Sequence, residues 1–335
     1  MQAGDATHIQ EFGPPDGSRR GPTKPFEQGA AHLLMHQLSE IARTFGACGD
    51  VIWGNGFNPI AIPTLFVCRG GDENPGFGIC TGPVDRGRLS EIEGGAFCEI
   101  DQDRPMARRA EDVAFAELPL LWVNDQIVEA FKSREGEEVH VELDLADSEA
   151  LVFDCSGRNY RPQSWEFARF VVHEAFHFHQ LFDARWRIPL GYDPATPPST
   201  HPDNRTRAEE ETRLVEVAAM THDDRQALRL VRRFVELRAT RYERWPEIEM
   251  LERGTEQVEG SARYVENQYS RCNGRAGRLT MPPEALRHEK DWLDFGRLYR
   301  SGARMLELLD RFEVSWRKRL ERGDDPYGIV CETLV

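Results

Sequence analysis

The chain has 335 residues, enough to bury a sizeable core, and its 40% hydrophobic and 30% charged residues are the balance of a soluble globular protein. A formal net charge of −15 repels phosphate backbones and argues against nucleic acid as a partner. No apolar run reaches the ~18 residues of a membrane span, and the Gly- and Pro-rich start lacks the apolar core of a secretory signal, so a cytoplasmic location and no membrane partner are expected.

In chain order, residues 1–25 read as a flexible tail. A first helix is predicted over 27–45, where Leu33, Leu34, Leu38, Ile41 and Ala42 recur at helical spacing. Residues 26–160 read as an α/β region. It carries short strand-like runs at 60–67, 96–100 and 139–145, the last alternating Val139, Val141, Leu143 and Leu145, and a helix at about 120–132. Residues 161–335 are predicted to be helical, in segments near 164–183, 206–222, 224–245, 247–270, 283–300 and 302–321, with a loop at 189–203. The arginines between Arg225 and Arg244 alternate with apolar residues and acids as a solvated helix face would. The expected class is α+β, with a mixed sheet region in the N-terminal half and a mainly helical C-terminal half. The seven cysteines form no C-x-x-C pair and suit buried thiols in a reducing compartment.

The chemistry concentrates at His173-Glu174-Ala-Phe-His177. Histidines four apart lie one turn apart on one helix face and can reach the same ion, while the intervening Glu can take a proton from a metal-activated water. On a helical wheel, Glu174 falls inside the apolar stripe of Phe167, Val171, Phe178, Leu181 and Phe182, where an ionised carboxylate is costly without a partner. His179 points away from the pair and reads as a surface residue or as one behind the ligands. A catalytic zinc takes three protein ligands, and the third has two sources: Glu209-Glu210-Glu211, or Glu256, Glu259 and Glu266. Gly260, Ser261 and Ala262 would let the second segment approach another helix closely.

The stretch Glu259-Gly-Ser-Ala-Arg-Tyr-Val-Glu266 resembles the E-G-x-A-x-Y-x-E helix of gluzincin-type zinc peptidases, and Tyr299–Asp310 is similar to the last helix of uncharacterised bacterial members. The resemblance implies that Glu259 is the third zinc ligand, that the small residues pack this helix against the H-E-x-x-H helix, and that the C-terminal half is zincin-like. It also implies that a sheet edge near Gly94–Ile100 pairs with extended substrate. The gap between His177 and Glu259 departs from the commonest members and leaves room for two inserted helices.

The expected activity is zinc-dependent hydrolysis of a peptide or protein substrate, with His173, His177 and Glu259 on Zn2+ and Glu174 as general base. Tyr264, Tyr299 and Arg263 are candidate donors to the oxyanion. The competing expectation is a zinc-stabilised helical binding module without catalysis.

Overall fold

A computed structural model describes residues 25–54, 56–68, 77–82, 120–122, 140–145, 148–154, 165–182, 185–188, 202–275 and 296–335. The chain forms two units: residues 1–36 with 63–157, and residues 37–62 with 158–335. The expected tail, the run at 96–100, most of the loop at 189–203 and the start of the segment at 283–300 lie outside the described residues.

The described structure is mostly helical, which overturns the α+β expectation. The strands that are described make one five-stranded sheet in the first unit: β1 (Thr64–Cys68), β2 (Phe77–Thr81), β3 (Leu120–Trp122), β4 (His140–Leu145) and β5 (Ser148–Asp154), in the order β3-β2-β1-β5-β4. β1 runs parallel to β5, and its Phe66 stacks on the facing Phe153 with ring centroids 5.2 Å apart. Residues 120–122 were expected in a helix and instead extend the sheet beside β2. A short apolar run fits either period, and strand pairing decides it.

The second unit holds the C-terminal half of α1 (Pro25–Ile52), then α2 (Trp165–Phe182), α3 (Pro202–Met220), α4 (Asp224–Arg244), α5 (Glu249–Cys272), α6 (Arg297–Arg311), α7 (Arg317–Glu321) and α8 (Pro326–Leu334). The division between the units falls at 157–158, and residues 37–62 join the helical unit rather than the sheet. The cause is aromatic burial. Trp53 packs on Phe176, Trp186 and Trp316, and Phe45 stacks on Tyr269. Helix boundaries follow local chemistry: Asp223 caps α4 by accepting from the Arg225 and Gln226 amides, at 2.8 and 3.2 Å. The break expected after residue 300 lies instead after Arg311.

Every residue of α5 from Gly254 to Ser270 is buried, including Glu256, Glu259, Arg263 and Glu266. A helix enclosed on all sides must be apolar or must give each charge a partner, and α5 takes the second course. Gly260 meets Gly302 of α6 backbone to backbone: a Cβ on Gly302 would stand 2.6 Å from the Glu256 carbonyl oxygen. The small residues thus serve the α5–α6 crossing, whereas the resemblance assigned them to the contact with α2. Only Ser261 meets α2 through a hydrogen bond, from Gln180.

The solvated-face reading of the arginines is corrected for two of them. Arg238 and Arg241 are fully buried. Arg241 donates to Glu211 (2.7 and 2.8 Å), Glu252 (2.9 Å) and Asn204 (3.0 Å), while Arg238 donates to Glu211 (3.2 Å) and Glu256 (2.7 Å). Arg297 closes the group on Glu252, and the Ser301 hydroxyl on Glu256. Three arginines face three glutamates, so the cluster is neutral as a whole and joins α3, α4, α5 and α6. Arg238 and Arg241 sit on the same buried stripe as Ala227, Val231 and Phe234. Among the described residues, no helix is long and apolar enough to cross a membrane.

Candidate metal centre

The H-E-x-x-H segment lies in mid-α2, with His173 and Glu174 buried and His177 partly so. His173 and His177 turn toward each other with Nε2 atoms 3.0 Å apart. α5 brings Glu259 Oε2 to 3.0 Å from His177 Nε2 and 3.4 Å from His173 Nε2. These are the three residues among those described whose ligand atoms could share one ion, all within 4.8 Å of one another.

The spacing tests whether a metal fits. A tetrahedral zinc with bonds of about 2.0–2.1 Å sets its ligand atoms roughly 3.3 Å apart, close to the observed edges of 3.0, 3.0 and 3.4 Å. The far nitrogens of the two rings agree. His177 Nδ1 donates to Gln180 Oε1 at 2.8 Å, and His173 Nδ1 faces Glu266 Oε2 at 3.5 Å. With Nδ1 protonated against an acceptor, each neutral ring presents its Nε2 lone pair inward, as a metal requires.

Both orienting groups are themselves fixed. Gln180 donates to the Val258 carbonyl (3.1 Å) and the Ser261 hydroxyl (2.8 Å) of α5. Glu266 is held by Arg169 of α2 and by Arg263, whose Nη1 lies 2.9 Å from each carboxylate oxygen.

Electrostatics favours positive charge in the triangle. Burial works to lower the His173 pKa, but Glu259 and Glu266 outweigh it and raise it to about 10. Burial likewise opposes the upward shift of His177, which Glu259 drives. Glu259 moves the other way: burial would raise it, and the two rings hold it well below the usual carboxylate range.

The candidate residues divide as follows. The structure brings His173, His177 and Glu259 together, with Glu174 beside the first histidine in α2. It also brings Tyr299, whose ring lies parallel to that of His173 at 5.8 Å between centroids. It does not bring Tyr264 to the cluster. That side chain is fully buried among Trp53 and Trp316, with its hydroxyl bonded to Asp310 and, at 2.7 Å, to Arg317. Arg263 is engaged by Glu266. Of the competing third ligands, Glu211 and Glu256 belong to the arginine cluster, and Glu209 and Glu210 are exposed. His179, read as a surface residue or one behind the ligands, lies against Phe57, Phe176 and Trp186.

Gln180 and Arg169 were not anticipated from sequence. Helical spacing carried the signal, since Gln180 follows His177 by three residues and Arg169 precedes His173 by four.

No protein-family model matches the chain, and no curated protein and no solved structure matches it. The gluzincin resemblance therefore rests on the residues that carry it.

Proposed function

We propose that the protein is a metal-dependent hydrolase, with zinc held by His173, His177 and Glu259 and with peptide bonds as its substrate class. The observation that carries the reading is the triangle of ligand atoms at zinc-like spacing with both imidazoles turned lone pair inward. A bound zinc ion supplies a Lewis acid that polarises the scissile carbonyl and lowers the pKa of water toward ~7.

In this reading Glu174 removes the proton from the attacking water and delivers it to the leaving amine. Its burial on the His173 turn keeps it from bulk solvent. Two histidines and one glutamate make a three-ligand set, which leaves a coordination position for substrate chemistry; purely structural zinc sites are closed by four ligands. Tyr299, stacked on His173, is the candidate donor to the developing oxyanion.

The test combines metal analysis with turnover. Protein purified without added metal is expected to carry about one zinc per chain. With a mixed peptide library, Glu174→Gln is expected to keep the metal and lose at least ~100-fold in rate. Zinc bound with equal (or no) hydrolysis by wild type and variant would favour the structural-metal reading, and protein without zinc affinity would reject both.

A further inference from the structure

A concave site lies at the N-terminal end of α5, an open cleft of about 530 Å3 lined by α5 and the segments around Arg187 and Arg322. Its size is that of small-molecule sites. Three arginines line it. Arg253 is neutralised by Glu249 at 2.7 Å and Asp325 at 2.6 Å. Arg187 and Arg322 have no carboxylate partner among the described residues.

The segments that carry these two arginines are brought together by backbone architecture. The Arg187 amide donates to the Glu321 carbonyl at 2.9 Å. Gly323, at φ +102°, turns the chain directly against the Arg187 side chain. Beneath them Gln257 is fully buried and donates to the Leu320 carbonyl at 3.0 Å and the Arg187 carbonyl at 3.4 Å, so it ties both segments to α5. Two arginines without a carboxylate partner make the lining cationic, and a guanidinium pairs with a carboxylate or phosphate through charge-assisted hydrogen bonds. Met250 and Ile188 add an apolar wall.

We infer that this cavity is a binding site for a small organic anion, a carboxylate or phosphate on an apolar body, held by Arg187 and Arg322. The site stands apart from the metal centre: Gln257 and Glu259 are two positions apart on α5, which puts them on opposite faces of the helix. The inference stands whether or not the chain is a hydrolase.

The methyl group of Met250, exposed on the cavity wall, reports occupancy locally. With the full chain labelled at methionine methyl carbons, phenyl phosphate and benzoate are titrated in parallel with neutral benzyl alcohol and cationic benzamidine. Saturable shifts of the Met250 methyl are expected with the two anions alone, and the tighter anion identifies phosphate or carboxylate as the source. The double variant Arg187→Glu, Arg322→Glu is expected to bind at least tenfold more weakly at an unchanged melting temperature, since both side chains are exposed. The inference is overturned if neither anion saturates the Met250 shift, if benzamidine binds equally, or if the double variant binds as wild type does. Because the readout needs neither zinc nor turnover, its failure leaves the metal centre untouched, and the reverse also holds.

Discussion

Glu266 Oε2 faces His173 Nδ1 at 3.5 Å, and the same carboxylate is gripped by Arg169 from α2 and Arg263 from α5. The pairing makes one acid responsible for aiming a ring and for neutralising two guanidiniums. In Glu266→Gln the ring loses its charged acceptor, and zinc affinity is expected to fall about 10- to 100-fold. The variant also leaves two buried cations without their common anion, so a loss of roughly 3–5 kcal/mol is expected. Chelator competition reads the first effect and urea unfolding the second. Unchanged zinc affinity in a folded variant would remove Glu266 from the site.

Gln180→Leu keeps the side-chain bulk and deletes the acceptor for His177 Nδ1. The ring is then free to adopt the tautomer that points N–H into the triangle. A zinc affinity about tenfold weaker is expected from the same competition measurement. The Val258 carbonyl and Ser261 hydroxyl also lose their donor, and a destabilisation of about 1–3 kcal/mol should accompany it.

Gly302→Ala tests the α5–α6 crossing. The new methyl would stand 2.6 Å from the Glu256 carbonyl oxygen and 2.7 Å from Gly260 Cα, so two backbones must separate. A cost of ~3 kcal/mol is expected from overpacking of this kind. Gly46→Ala in α1 is the control, with nothing within 4 Å of the added carbon. It is expected to gain up to ~1 kcal/mol from the relieved backbone entropy of a helical glycine. Thermal melts of the two variants should move in opposite directions.

Acid unfolding should register the arginine cluster. Burial would raise the Glu252 pKa, but Arg297 and Arg241 outweigh it and bring it from 4.5 to about 2. A carboxylate depressed on folding adds stability that is fully present above pH 4.5 and is lost as pH falls toward 2, because the unfolded chain takes up the proton first. The magnitude is on the order of 3 kcal/mol. Glu256 works in the opposite sense: its burial outweighs Arg238 and raises it, so its own contribution favours lower pH. Urea midpoints from pH 6 to 3 are expected to fall in wild type and to fall less steeply in Glu252→Gln, starting from a lower value.

What the sequence made legible was periodic. The spacing of His173 and His177 put both rings on one face of α2, because a 3.6-residue repeat survives any packing arrangement; Glu259 was singled out between two sets of acids by the gluzincin resemblance and the small residues that follow it. Partners between helices were not legible. Tyr264 and Glu259 share α5 but lie about 140° apart around its axis, so Glu259 meets His173 and His177 while Tyr264 enters the Trp53–Trp316 core. Arg238 and Arg241 looked solvated because composition carries no sign of three glutamates arriving from α3 and α5. The sheet expectation failed in proportion for a similar reason: short apolar runs carry too few residues to separate the two periods, whereas the long helices dominate the described chain.

The Arg238–Arg241 cluster also fixes α5 along its axis. Glu252 and Glu256 fit their guanidiniums in one setting of the helix, and a ratchet by a single turn, about 5.4 Å, would strip each arginine of its counterion inside the protein. Glu259 rides one turn further on the same rigid rod. The axial coordinate of Glu259 is thus indexed by a salt lattice that stands apart from the two histidines, and a substitution there would be felt at the histidines as misregistration.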